Sequence, residues 1–408
     1  MAELRILYFH QHFSTPKGST GTRSYEMAQA AIKAGHEVTM VCGSFGVGCT
    51  GLDGPFTRGM RSDQVDGIDI IEFNLNYSNN LGLLLRAWIF TKFAFMSMFV
   101  ALTYPYDILF ATSTPLTAGI PGILGRWLRR KTFVFEVRDL WPELPKAMGV
   151  ITNPVLLFFM SLLEWASYRS AHRLIGLSPG ICEGIISRGV SSSKVRLVPN
   201  GCDLEIFNSE TTLEADLSDI KSDDLLVVFT GTHGPANGLD AVLDAASILQ
   251  KKGKNEIKIM LVGDGKLKPL LIKRADEEGL SNVIFKAPVP KHELAKILKR
   301  ADVGMQILAN VPAFYYGTSP NKFFDYLSAG LPVLNNYPGW LASMINKNKC
   351  GYAIKPDDPE AFSQALIHAE MNRDKLLKMG INAKQLAIVK FDRTKLSKDW
   401  VNWVIDEI

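Results

Sequence analysis

Leu225-Leu-Val-Val-Phe-Thr-Gly-Thr-His-Gly-Pro-Ala-Asn-Gly238 is an apolar run that breaks into glycines and passes into a helical stretch at about 237–251. A short apolar run bounded by Gly and Pro reads as a buried strand; strand, glycine loop and helix in succession build a parallel sheet. The unit recurs downstream. Ile257–Val262, Val283–Phe285, Val303–Ile307 and Pro332–Asn335 read as strands, with helices at about 266–279, 291–300 and 320–329. It also recurs upstream. Arg5–His10, Val38–Val41, Ile68–Phe73, Asp107–Ala111, Thr132–Val137, Arg173–Leu177 and Val195–Val198 read as strands, mostly separated by helical stretches. The first of these helices, Arg23–Ala34, is closed by Gly35. Between the two series lies a polar, acidic stretch, Ser209–Asp224, read as a linker. The fold class is therefore α/β: two doubly wound, Rossmann-like domains facing across a cleft. They are expected at 1–205, completed by an amphipathic helix at about 391–408 that carries Trp400 and Trp403, and at 206–390.

The composition excludes several classes. Of 408 residues, 47% are hydrophobic and 21% charged, which argues against a disordered chain. A net charge of +4 is too small for a nucleic-acid binder. Five scattered cysteines without a C-x-x-C pair fit a reducing cytoplasm and argue against a disulfide framework or a cysteine zinc site. The first ten residues alternate charge with a short apolar run and read as a strand, not a signal peptide. Mean hydropathy is +0.07, greasy for a cytosolic protein.

Ligands of open parallel sheets bind at the carboxyl ends of the strands, so the chemistry is sought there. Gly18, Ser19, Thr20, Gly21 and Thr22 follow the first strand and open a helix, where backbone N–H groups meet an anion. Gly231, Gly234 and Gly238 suit the same role in the second domain, with His233 and Asn237 beside them; Gly263 ends the next strand in a Gly-Asp-Gly turn. Pro320 opens a helix that carries Lys322 and Asp325 three positions apart, on one face. A cation at a helix N-terminus opposes the helix dipole and implies an anion to balance it, while Asp325 suits a ribose diol. At the end of Thr132–Val137, Arg138 suits a phosphate, and Asp139 or Glu143 a hydroxyl.

Together these segments resemble family 4 of the retaining glycosyltransferases, which have the GT-B fold. The resemblance runs from Gly18–Thr22 and Gly35-His-Glu-Val38 through Leu197-Val-Pro-Asn-Gly-Cys-Asp203. It continues to Gly231–Gly238, Val262–Gly265, Pro320-Asn-Lys322 and Ala329-Gly-Leu-Pro332. Asp139-Leu-Trp-Pro142 and Pro320-Asn-Lys322 look most like the subgroup that builds bacterial surface polysaccharides from amino sugars, such as fucosamine or N-acetylhexosamine. The resemblance implies a UDP-sugar donor on the second domain, held by Gly231, His233, Gly234, Asn237, Gly238, Gly263, Ser319, Asn321, Lys322 and Asp325, with no metal or other cofactor. It implies an acceptor on the first domain, where the 18–22 loop is expected to take the acceptor or a phosphate; catalysis is expected from Lys322, Arg138 and Asp139, and the acceptor is expected to be a lipid-linked saccharide. The chain departs from the family pattern where Gly317 replaces the first of two acids, and where Thr232, His233 and Asn237 stand for the usual Arg and Lys. Alternative readings are a nucleotide-sugar 2-epimerase and a non-catalytic nucleotide-sugar-binding scaffold.

The greasy residues concentrate in Leu81–Tyr104 and Val155–Leu163, near Arg126, Arg129, Arg130 and Lys131. The uncharged part of the first run is too short to span a bilayer. Apolar aromatic segments with basic flanks suit an interfacial helix, so Arg86, Trp88, Lys92, Phe93, Arg129 and Arg130 are expected to touch the cytoplasmic face of the inner membrane. Val155–Leu163 is expected to be a buried helix instead.

Overall fold

The computed structural model describes residues 3–46, 48–78, 81–208, 217 and 220–406, so most of the acidic stretch 209–224 lies outside the described residues. The chain forms two compact units: Met1–Pro199 with Gly317–Ser319 and Thr394–Ile408, and Asn200–Tyr316 with Pro320–Arg393.

The first unit holds an eight-stranded sheet. Its strands are β1 (Arg5–Phe9), β2 (Glu37–Phe45), β3 (Met60–Val65), β4 (Ile68–Tyr77), β5 (Ile108–Thr112), β6 (Thr132–Val137), β7 (Arg173–Gly176) and β8 (Val195–Leu197), in the order β3-β4-β2-β1-β5-β6-β7-β8. Every pairing is parallel except the hairpin β3–β4. The order reverses between β1 and β5, which opens a crevice at their carboxyl ends. The second unit has β9 (Leu225–Thr230), β10 (Ile257–Val262), β11 (Val283–Lys286), β12 (Val303–Gln306), β13 (Val333–Asn335) and β14 (Gly351–Ala353), all parallel, in the order β11-β10-β9-β12-β13-β14. Its reversal falls between β9 and β12. Central strands such as β5 and β9 are buried at every position, as a sheet covered on both faces requires.

Two strands escape the sequence pattern. β3, Met-Arg-Ser-Asp-Gln-Val, is mostly exposed and has no apolar run, because it is an edge strand with charge on it. β14 is three residues at the opposite edge of the other sheet. The last helix, Arg393–Ile405, packs on the first unit: Trp400 is fully buried, stacked 6.0 Å from Tyr8 and edge-on 4.8 Å from Phe110.

Three neighbouring helices cover part of the first sheet: Leu83–Thr103, Gly119–Leu128 and Pro154–Ser170. The middle one sinks onto the sheet through small residues. A Cβ on Gly122 would lie 2.0 Å from the Phe133 ring, and one on Gly125 would lie 2.7 Å from the Tyr106 hydroxyl. The flanking helices correct two expectations. Phe93 is fully buried, 5.9 Å from Phe73, so it is a core residue and not a lipid contact. Conversely, Val155–Leu163 is not buried: Val155, Leu156, Phe158, Phe159 and Leu162 are exposed, because only Met160, Leu163 and the last turns reach the core. Arg129 also departs from a free lipid contact, since its guanidinium donates to the carbonyls of Ala101 and Tyr104 and lies over the Tyr106 ring. Arg86 is half-buried, whereas Trp88, Lys92 and Arg130 are exposed.

One helix among the described residues, Leu83–Thr103, is long and apolar enough to cross a membrane. The charges at Arg86 and Lys92 do not shorten it, contrary to the sequence estimate. Its inner face, Ile89, Phe93, Ala94, Ser97, Val100 and Ala101, is buried in the first unit.

Candidate functional site

In the second unit, two glycine turns press together at the carboxyl ends of β9 and β10. The Gly231 N–H donates to the Val262 carbonyl and the His233 N–H to the Asp264 carbonyl, both at 2.9 Å. A Cβ on Gly263 would lie 1.8 Å from the Gly231 carbonyl oxygen, so this contact alone demands glycine there. Gly231 and Gly263 have φ of +133° and +152°, a region that favours glycine. Gly238 has φ +54° and abuts Ala309, where a Cβ would sit 2.7 Å from the Ala309 Cα.

Lys322, on the first turn of the helix Asn321–Ala329, lies over this platform. Its ammonium is 4.1 Å from the centre of the Phe229 ring and donates to Asn237 Oδ1 at 3.0 Å. Asn237 Nδ2 in turn donates to the Thr232 carbonyl at 2.6 Å, which fixes the amide. A Cβ on Gly231 would meet the Lys322 ammonium at 3.2 Å, so the lysine rests on the bare backbone of the loop. No carboxylate lies within ion-pair distance of Lys322 among the described residues. Burial lowers its pKa to about 7, since no negative group offsets the desolvation of the charged form. Gly231, Gly234, Asn237, Gly238, Gly263, Asn321 and Lys322 are thus brought to one end of the second sheet. Ser319 belongs to the short segment that clusters with the first unit.

Two predicted donor residues, His233 and Asp325, are buried. His233 is fully buried, its imidazole about 6 Å from the rings of Phe229 and Phe285, and neither ring nitrogen has a hydrogen-bond partner among the described residues. Burial lowers its pKa to about 4, which keeps it neutral. Asp325 forms no ion pair with Lys322 among the described residues. It is buried and ion-paired at 3.1 Å with Lys291, which also pairs with Asp203. Asp203 accepts from Arg393 as well. Against its burial, Arg393 and Lys291 hold Asp203 at about 2, while burial and the nearby Asp203 carboxylate raise Asp325 despite Lys291. The motif residue Asp203 thus ends in an ion-pair network with residues from two distant helices, which sequence spacing does not reveal.

The first unit gathers its own polar group at the ends of β1, β5 and β6. Arg138 Nη1 lies 3.2 Å from His10 Nε2, and the Arg138 N–H donates to Ser113 Oγ at 2.9 Å. Asp139 Oδ2 accepts from Thr114 Oγ1 at 3.2 Å, and burial raises its pKa. His12 packs against Tyr77 and Phe90, and burial beside Arg138 lowers its pKa to about 4. The hydroxyls of Thr20 and Thr22, at the N-terminus of the helix Arg23–Lys33, are buried without a partner among the described residues. Gly18 is fixed by packing, since a Cβ there would lie 2.2 Å from Ser14 Oγ; Ser19 is exposed and Gly21 half-exposed in the same loop. His10 and His12 were not singled out in the sequence. Their signal was position, just past the end of the first strand.

Glu136 is not a site residue. It is fully buried and accepts from Arg23 at 2.8 and 3.1 Å and from Thr112 at 2.9 Å. Arg23 also donates to the carbonyls of Val198 and Pro199, so the pair ties the first helix to the end of the unit. Glu143 is exposed and pairs with Arg188 at 3.0 Å.

Two α/β units of parallel strands, each with its polar groups at a topological switch point, define the GT-B class, and comparison with known proteins agrees. The structure aligns with sucrose-phosphate synthase from Thermosynechococcus elongatus at TM-score 0.73 and 16% identity, over 98% of this chain and 97% of that one. It aligns with Anabaena HepE in complex with UDP-glucose at TM-score 0.67 and 14% identity, over the whole of both chains. Residues 18–201 match the family described as "Glycosyl transferase 4-like domain" and residues 212–386 match "Glycosyl transferases group 1". The chain belongs to the group 1 glycosyltransferases. A D-inositol 3-phosphate glycosyltransferase from Nocardia farcinica is 26% identical over 204 residues, 48% of this chain and 44% of that protein. The match thus spans less than half the length of that curated relative.

Proposed function

We propose that the chain moves a sugar from a UDP-sugar to a lipid-linked saccharide, with retention at the anomeric carbon. It does so as a peripheral enzyme on the cytoplasmic face of a membrane. The observation that carries this reading is Lys322: a half-buried cation without a carboxylate, at a helix N-terminus and over a glycine platform. Such a group stabilises the negative charge that grows on a departing diphosphate, and the helix N-terminus adds to it. This assigns leaving-group stabilisation to a side chain and a helix end rather than to a metal ion. In the first unit, Arg138, Asp139 and the Thr20–Thr22 loop are assigned to the acceptor side. UDP is favoured because HepE, of the same fold, is described in complex with UDP-glucose. An N-acetylated amino sugar is favoured by the Asp139-Leu-Trp-Pro142 and Pro320-Asn-Lys322 segments. A lipid-linked acceptor would explain the exposed apolar helices of the first unit.

The test is a panel of UDP-sugars, UDP-N-acetylhexosamines first, with a short polyprenyl-diphosphate-linked sugar in detergent. Extension of the lipid by one sugar, read by mass, is the expected result. Interconversion of the sugar without extension would establish the 2-epimerase, which neither the family nor the fold comparisons favour. Tight UDP-sugar binding without turnover of any pair would establish the scaffold.

A further inference from the structure

We propose that the helices Leu83–Thr103 and Pro154–Ser170, with Trp127 and Leu128 between them, form one docking face for an anionic lipid bilayer. This deepens the membrane part of the reading above and adds a helix that sequence reasoning assigned to the core. The helix Gly119–Leu128 packs against both flanking helices, so the three form a continuous surface. Trp127 bridges the last two: its indole N–H donates to Ser170 Oγ at 2.8 Å while the residue stays 64% exposed. Large apolar groups face outward on both flanks, among them Leu84, Trp88 and Phe99 on one, Phe158, Phe159 and Trp165 on the other. Two adjacent aromatics that are 64% and 59% exposed, Phe158 and Phe159, have no structural use in water.

Charge selects the occupant. The three helices contain one acidic residue, Glu164, and it is turned inward: it is buried and pairs with Arg188 at 3.2 Å. The basic residues are left at the surface. Lys92, Arg130 and Arg169 are exposed and form no ion pair among the described residues. Outward faces without acids, flanked by these unpaired cations, complement an anionic headgroup layer; Asp63 and Asp69 lie only at the edge, beside Phe95 and Phe99. A helix of 21 residues is about 31 Å long, enough to cross a bilayer, but its buried inner face holds it against the unit. It therefore lies on the membrane instead of spanning it.

The full chain is sedimented with vesicles of phosphatidylcholine containing phosphatidylglycerol, and with phosphatidylcholine alone. Binding to the anionic vesicles is expected, falling as salt rises. Replacing Phe158 and Phe159 together by Glu should weaken it about tenfold or more, with an unchanged melting temperature because both side chains are exposed. A second measurement needs no variant: brominated acyl chains should quench part of the tryptophan fluorescence of the unmodified protein on binding. The proposal is overturned by absence of binding at low salt, by binding without quenching, or by a lipid-independent dimer that the double variant dissolves. Turnover separates this from the functional reading. The double variant should keep its activity on a water-soluble acceptor and lose it on a vesicle-borne one. Vesicle binding without turnover on any acceptor would end the transferase reading and leave the docking face standing.

Discussion

Lys322 sits where the helix dipole opposes a positive charge, and burial lowers its pKa from 10.5 to about 7. The free protein therefore carries this cation only partly at neutral pH. A diphosphate favours the charged form, so donor binding above pH 7 should take up a proton. The profile of kcat/KM, which reports the free enzyme, should then fall as pH rises through about 7. Lys322→Arg keeps its charge and should flatten that limb. Lys322→Ala should lower kcat/KM by about 10²-fold or more, the cost of removing one group that stabilises developing charge. If the limb persists in Lys322→Arg, a different group controls it. The place of Lys322 on the first turn of a helix was legible in the sequence, because a lysine just after a helix-opening proline is a local signal. Its contact with Asn237 was not legible. Asp325, three residues on, faces Lys291 and not Lys322, and Lys291 is 34 positions away in sequence. Local spacing says which residues can share a helix face; it does not say which neighbour the rest of the fold brings to them.

The two glycine turns of the second unit act as a pair. Gly263 has no room for a side chain because the Gly231 backbone carbonyl occupies that place, and backbone cannot swing aside as a side chain can. Gly263→Ala should force the turns apart and shift the loop on which Lys322 rests. The expected loss is roughly 1–3 kcal/mol of stability and a raised KM for the donor. Gly253→Ala is the control. It has φ +71° with nothing within 4 Å, so it should cost stability without changing the donor KM. Equal effects of both substitutions on KM would show that the contact between the turns is irrelevant to the site. At this scale most of the second unit was legible: β9, β10 and the helix Lys291–Arg300 fall where the pattern puts them. The turn glycines were legible as glycines, but their reason was not. Gly263 serves packing against another turn, a contact that spacing along one strand does not show. The helix Pro154–Ser170 was misread because a segment apolar on all sides has the same sequence signature whether it faces a core or a lipid surface.

Alternation of strands and helices disclosed the α/β class, because each unit follows the period of its secondary structure. What it could not disclose is which side chains the last helix, expected to complete the first domain, meets there. Arg393–Ile405 follows the second sheet in sequence but fills the first unit's core, where Trp400 packs against Tyr8 and Phe110. An apolar helix that follows the second domain shows that it needs a partner, and the first domain was expected to be it; only tertiary structure shows which residues it meets. The placement has an energetic consequence. Trp400→Ala should leave a large cavity and cost about 3–5 kcal/mol, as truncation of a buried Trp does. Trp400→Phe should cost much less, because the indole N–H of Trp400 is buried without a hydrogen-bond acceptor and its removal relieves that penalty. The cost should fall on the first unit alone. In calorimetry of the full chain, Trp400→Ala should lower the transition that near-ultraviolet signals assign to the first unit, leaving the other in place. A uniform downward shift of both transitions would mean that the helix stabilises the chain as a whole, and that the first unit does not own its final turn of core.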